Sequence, residues 1–264
     1  MASSAPVDCV YTNLLGASSG IGEATAYKLA EHGARLYLVA LEEDILQNVQ
    51  QKCMEKGLAD DKIGFCSGDL SQSAFREEIV KSLIQKFGRL DILADIAGYA
   101  MFSNVSETKE EDYDRCVSVN QKAKLFLAQL CLPYLKETKG NIIYLSSICS
   151  TIGQPITVVY SMAKAAIDML TKCLAKELGP HGVRVNAINP GFIDDTNILR
   201  NSNSVITTDE DHKKLADSTA KQAHLNRAGK PADVVSLLLF LTSDEASYIT
   251  GTINYIDGGR HLYP

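Results

Sequence analysis

Near the start of the chain an apolar stretch gives way to Leu15-Gly-Ala-Ser-Ser-Gly-Ile-Gly22. That turn opens a helical pattern, Ile21, Ala24, Leu29 and Ala30, which runs to His32 and stops at Gly33. Glycines at 16, 20 and 22 let backbone approach a bound group closely, and the free N–H groups and dipole of a helix start favour negative charge there. Three glycines also mark many ordinary tight loops. The position between a first strand and a first helix makes a phosphate cradle the better reading.

Short β-branched runs then alternate with longer helical patterns along the 264 residues. The runs predict strands at Tyr11–Leu15, Leu36–Ala40, Ile63–Ser67, Ile92–Ala97, Ile142–Ser146, Val183–Asn189 and Ile253–Asp257. Between them apolar residues recur at three and four spacing, as in Ile167, Leu170, Leu174 and Leu178 before Gly179-Pro180. Thr108-Lys-Glu-Glu111 reads as a capping box that starts a long helix carrying Asn120. Such alternation predicts an α/β fold: a doubly wound, seven-stranded parallel sheet with helices on both faces, Rossmann-like, in one domain spanning 1–264. Ligands of such sheets bind at the C-terminal strand ends.

Tyr160-Ser-Met-Ala-Lys164 lies near the start of a helical pattern, with Ser147 thirteen residues before the tyrosine at a strand end. Groups four apart on a helix share a face. A phenol titrates near ~10 and needs a nearby cation to favour its phenolate, a part Lys164 can play. A serine hydroxyl beside it can hold a substrate oxygen while the same oxygen is protonated. By itself Tyr-x-x-x-Lys is as well explained by a half-buried ring and a solvated ammonium.

Together these motifs resemble the classical short-chain dehydrogenase/reductase family, from about Tyr11 to Gly259, in the family's order and spacing. The resemblance implies an NAD(P)-dependent oxidoreductase that interconverts an alcohol with a ketone or aldehyde. Ser147, Tyr160 and Lys164 match its catalytic serine, tyrosine and lysine, and Asn120 in Ser-Val-Asn-Gln the fourth member. Tyr160 would be the general acid/base. Lys164 would also bond the nicotinamide ribose while lowering the phenol's pKa, and Asn120 would support a water relay. The implied cofactor contacts are Gly16, Ser18, Ser19, Gly20, Ile21 and Gly22 at the pyrophosphate and Leu41 at the second strand end. Asp69 and Leu70 would lie at the adenine, with Ala97, Gly98, Tyr160, Lys164, Pro190, Gly191 and Ile193 towards the nicotinamide. Asp257-Gly-Gly259 looks like the family's C-terminal signature. A homotetramer or homodimer, built through the Asn120 and Tyr160 helices, is also implied.

The chain departs from the family pattern in places. Leu15 stands where threonine is usual, Asn13 enters a strand predicted to be buried, and Asp95-Ile-Ala-Gly98 replaces Asn-Asn-Ala-Gly. These changes bear on cofactor geometry and stability, and they support an alternative: a dinucleotide-binding scaffold or sensor with little turnover. The threonine expected after Pro-Gly is displaced, with Asp195 in its place and Thr196 following. Ala40, Leu41 and Ser19 carry neither the acid that would bond the ribose of NAD nor the base that would pair the 2′-phosphate of NADP. Glu42 and Glu43 follow at once and would repel that phosphate, which favours NAD.

The segment 192–227 is long and polar, with Asp194-Asp195, Asn201 to Ser204 and Asp209-Glu-Asp211. A solvated loop explains it better than a metal site, and the family resemblance makes it a substrate lid. A net charge of −6 argues against nucleic acid or an anionic membrane as main partner, and the family resemblance implies a small-molecule alcohol or carbonyl substrate. The longest apolar run, Val234 to Leu241, is too short to span a bilayer, and the N-terminus lacks a signal-peptide pattern, so the expected location is cytoplasmic. Seven cysteines, with no C-x-x-C pair, predict small buried residues rather than a disulfide framework or zinc site. Cys149, two residues from Ser147, is a candidate oxidisable thiol.

Overall fold

The computed structural model describes residues 10–198, 202 and 208–262. Cys9, the N-terminal residues before it and part of the expected lid lie outside the described residues. Among the described residues seven strands are formed: β1 (Tyr11–Leu15), β2 (Arg35–Ala40), β3 (Ile63–Ser67), β4 (Ile92–Asp95), β5 (Asn141–Leu145), β6 (Arg184–Pro190) and β7 (Ile253–Ile256). They pair in parallel in the order β3-β2-β1-β4-β5-β6-β7. The order reverses direction between β1 and β4. That is where a doubly wound sheet opens its crevice for ligands.

Both faces are covered, as near-continuous apolar strands require. Helices α1 (Gly20–Glu31), α2 (Glu43–Glu55) and α8 (Pro231–Thr242) bury Leu29, Leu46 and Leu238 against one face, with Leu14, Leu36 and Leu38 of the sheet. Helices α3 (Ser73–Phe87), α5 (Ala123–Thr138) and α6 (Val158–Leu178) bury Ile79, Leu127 and Ile167 against the other, with Leu15, Leu93 and Tyr144.

Two expectations are corrected. The long helix carrying Asn120 does form, as α4 (Glu110–Val117) continuing through a π turn over Ser118–Lys122 into α5, but the predicted capping box does not start it. Thr108 does not cap it. Its hydroxyl donates to the Asn104 carbonyl at 2.9 Å and meets the Ser103 hydroxyl at 2.7 Å, and α4 begins after Lys109 with no side-chain cap. Nor is 192–227 simply a solvated loop, because α7 (Asp209–Gln222) forms within it. There Thr208 accepts from the Asp211 N–H at 3.1 Å, a true N-cap. A parallel bridge from Ile193 to Gly229 draws the segment's two ends together.

The six described cysteines are free thiols. Cys53, Cys116 and Cys131 are buried, Cys66 and Cys149 partly so, and Cys173 is exposed.

Candidate active site

A cavity of about 520 Å³ opens at the C-terminal strand ends. Its floor is the glycine turn. Gly16 adopts φ +78°, and a Cβ there would sit 2.8 Å from the Ala97 nitrogen, so only glycine suits this contact between the β1 and β4 exits. The Gly16 and Ala17 N–H groups donate to the Val39 carbonyl at 2.8 and 3.2 Å, tying the turn to β2. Helix α1 then starts after Ser19, whose side chain makes no cap bond, leaving the first helical N–H groups to an anion. Close backbone and an uncapped helix start fit a dinucleotide pyrophosphate.

At the far end Leu41, 57% exposed, and Glu42 flank the mouth, and Asp69 and Leu70 face them. Arg115 of α4 also lines this end and donates to Asp69 Oδ2 at 2.7 Å and to the Ser71 hydroxyl at 3.3 Å. Burial pushes the Asp69 carboxyl up, but the Arg115 guanidinium and the Ser71 amide outweigh it and hold the group below its ordinary value. Sequence reasoning missed Arg115. Its partner Asp69 lies 46 residues away, so no local spacing marked it.

At the other end Ser147 leaves β5 and accepts from the Cys149 N–H at 3.1 Å. Tyr160 and Lys164, one turn apart on α6, complete the cluster. Lys164 is 2% exposed, and its ammonium donates to the Leu145 carbonyl at 2.8 Å and lies 5.4 Å from the centre of the Tyr160 ring. Desolvation lowers Lys164 to about 7; neighbouring Lys124 adds to this, while Asp95, Cys116 and Cys149 oppose it. Burial raises the Tyr160 phenol, nearby Cys149 adds to the rise, and a hydrogen bond with Ser147 works against it. The sequence reading has Lys164 lower the phenol; here burial displaces the two groups in opposite senses, the phenol up and the ammonium down, with the cation over the ring face.

Each of the sixteen expected cofactor residues lines this cavity, as do Ser147, Tyr160 and Lys164. Asn120 does not. It is fully buried behind the wall, its Oδ1 accepting from the Tyr99 N–H at 3.1 Å and its Nδ2 donating to the Tyr99 and Cys116 carbonyls at 2.7 and 3.1 Å.

The departures have structural answers, with one exception. Leu15 is fully buried in the core. Asp95 pairs with Lys124 at 2.6 Å, replacing lost amides with an ion pair. Asp195 takes φ +57°, and this left-handed residue returns Thr196 to the cavity wall, opposite Gly20. Asn13 is the exception, for neither atom of its buried amide has a partner. Asp194 faces the His212 ring at 3.6 Å, and among the described residues no group of three or more His, Cys, Asp or Glu side chains gathers. No described helix is long and apolar enough to cross a membrane.

The sheet order, the uncapped glycine turn and the crevice beside it define a dinucleotide-binding α/β protein. Residues 16–261 match the family described as Enoyl-(Acyl carrier protein) reductase. The chain is 33% identical over 247 residues to a 3-oxoacyl-[acyl-carrier-protein] reductase of Thermotoga maritima, covering 93% of this chain and 95% of that protein. It is likewise 33% identical over 250 residues to a glucose 1-dehydrogenase of Gluconobacter oxydans, covering 94% and 90%. A cofactor-bound short-chain dehydrogenase/reductase of unknown function from Caenorhabditis elegans superposes with a TM-score of 0.90 at 26% identity, over 97% of this chain and 96% of that one. The chain belongs to the classical short-chain dehydrogenase/reductase family, and it is an NAD(P)-dependent oxidoreductase acting on CH–OH and C=O groups.

Proposed function

We propose that the protein interconverts a small alcohol and its ketone or aldehyde with Tyr160 as general acid/base. The observation that carries this reading is the meeting of Ser147, Tyr160 and Lys164 at one end of the cavity whose floor is the Gly16–Gly22 turn. A nicotinamide dinucleotide bound there supplies or accepts the hydride. Helix-start N–H groups and Gly16 would hold its pyrophosphate, and Asp69, Leu70 and Arg115 would receive its adenine. Ser147 would fix the substrate oxygen, and Tyr160, kept protonated by burial, would donate to that oxygen in the reductive direction. Lys164, near 7, changes charge within the physiological range and biases the phenol's proton. Asn120 would act from behind the wall by holding Tyr99, and a water relay through it rests on the family resemblance alone.

NAD is the favoured cofactor, because Leu41 offers a 2′-phosphate no partner and the Glu42 carboxylate lines the same mouth. NADPH binding as tight as NADH at moderate salt would overturn this. Residues 192–227 would be the substrate lid, a reading supported by Ile193, Thr196 and Ile198 on the cavity wall. Exposed Leu125 and Phe126 on α5, with Met162 and Met169 on α6, support a homotetramer or homodimer through these helices. An obligate monomer by light scattering would contradict it. Free thiols support a reducing compartment such as the cytoplasm.

The central test is Tyr160→Phe. Turnover should fall by at least ~100-fold, the scale of a lost acid/base, while NADH binding followed by nicotinamide fluorescence persists. Undiminished turnover would remove Tyr160 from the mechanism.

A further inference from the structure

Lys124 and Asp95 are 1% and 2% exposed. All three ammonium protons are used: Lys124 donates to Asp95 Oδ1 at 2.6 Å, to the Asp95 carbonyl at 3.0 Å and to the Ala97 carbonyl at 2.9 Å. The Tyr144 ring lies 5.9 Å from the same nitrogen. One turn earlier, Asn120 grips both backbone groups of Tyr99. Two side chains four apart therefore hold the β4 exit, 95–99, at both ends. Gly98 lies between the grips, and a Cβ on it would sit 3.3 Å from Asn120 Oδ1 and 3.5 Å from Lys164 Nζ.

A buried ion pair is a poor device for stability, since apolar residues of similar volume often do as well or better. Its position here points elsewhere. We infer that Lys124 and Asp95 are positioning residues, which fix the β4 exit against Lys164 and supply the charge that Lys164 feels from that side. The inference rests on the reading of Lys164 as part of the catalytic machinery. The titratable groups acting on Lys164 are Lys124 and Asp95 from α5 and β4, Cys116 from α4 and Cys149 after β5, with Tyr160 on its own helix. Lys124 disfavours the ammonium of Lys164 and Asp95 favours it, so the two partners pull in opposite senses. Loss of either charge, with the hydrogen bonds preserved, must then move Lys164 in a direction fixed in advance.

The experiment labels lysine with ¹³C at Cε and follows the pH titration of Lys164 by NMR, its signal assigned with Lys164→Met. Asp95→Asn keeps an acceptor for Lys124 but removes the negative charge, and should lower the Lys164 midpoint by about 0.5–1 pH unit. Lys124→Gln keeps donors but removes the positive charge, and should raise it by a similar amount, about 0.5–1 unit. Lys124→Met removes the grip itself and should weaken NADH binding about ten-fold, with Lys124→Gln restoring most of the loss. Should Lys124→Met fail to fold, the two conservative variants still decide. A Lys164 midpoint unmoved in both Asp95→Asn and Lys124→Gln would overturn the inference. Tyr160→Phe separates the two readings: retained turnover would sink the catalytic assignment and leave the opposed shifts of Lys164 standing.

Discussion

Asn13 and Asp95 stand on neighbouring strands, where Asn13 pairs with Leu93 and Leu15 with Asp95. Both alternate with residues of the same core layer, so their side chains share one face of the sheet. Both are at most 2% exposed. Asp95 nevertheless meets an ammonium at 2.6 Å, and Asn13 meets nothing that can bond either end of its amide. The difference lies in what faces each strand. Opposite β4, α5 presents Lys124; beside Asn13 in the sheet stand Tyr37, whose hydroxyl is engaged by Ser82 at 2.7 Å, and Leu93. A polar residue in a buried strand is tolerable when a facing helix carries its complement, and otherwise it draws on the stability of the rest of the core.

The sharpest way to break this comparison is to make Asp95 resemble Asn13. Lys124→Met leaves a buried carboxylate unpaired and should cost about 3–5 kcal/mol in urea denaturation. Adding Asp95→Leu removes the stranded charge and should recover most of that loss. A Lys124→Met protein as stable as the parent would mean that Asp95 reaches another partner, and the two strands would no longer differ.

The contrast also marks what could be read in advance. All seven strands were legible because β-branched runs report burial directly, and β1 and β3 have the predicted bounds. The glycine turn and the Ser147, Tyr160 and Lys164 cluster were legible because short spacings carry their own geometry. The Asp95–Lys124 pair was not, since its members are 29 residues apart and a lysine in a helical pattern reads as solvated. Arg115 was hidden in the same way, 46 residues from Asp69. The π turn escaped because its widened hydrogen bonding, Ala123 N–H to the Ser118 carbonyl, leaves no mark on apolar periodicity. The lowered Lys164 is a product of burial and of a second lysine brought close by the fold, neither visible in Tyr-x-x-x-Lys.

A smaller effect sharpens the charged side of the comparison. Lys164 titrates near 7 when folded against an ordinary 10.5. Between those values the unfolded chain holds a proton that the native protein has released, so stability rises with pH. The burial cost is fully present below the folded value and is relieved towards the unfolded one. Buried thiols act in the opposite sense at higher pH: Cys53, pushed up to about 12 by burial, keeps a proton that the unfolded chain loses. The clean window is therefore about pH 7 to 8.5. Across it stability should climb by roughly 1–2 kcal/mol, the limit being about 1.4 kcal/mol per unit for one proton. Urea denaturation at several pH values would measure the slope, and Lys164→Met should flatten it; an equal slope in that variant would assign it to other groups.

The smallest expected effect comes from the unpartnered side, by making Asn13 apolar. Val suits a central strand, and at position 13 it would stand between Tyr37 and Leu93 in the register. Its side chain has no hydrogen-bonding group to lose. Because neither amide atom of Asn13 has a partner, the substitution removes a desolvation penalty and sacrifices no bond within the protein. Asn13→Val should accordingly raise stability by about 1 kcal/mol, the low end of what an unsatisfied buried group costs. The adjacent Thr12 hydroxyl, also unpartnered, faces the other layer and is left unchanged as a reference. A loss of stability would show that a buried water bonds the amide, because removal of such a bridge is costly where removal of an orphaned group is not. Asn13 and Asp95 would then be two solutions to one problem, the first solved by solvent and the second by a helix.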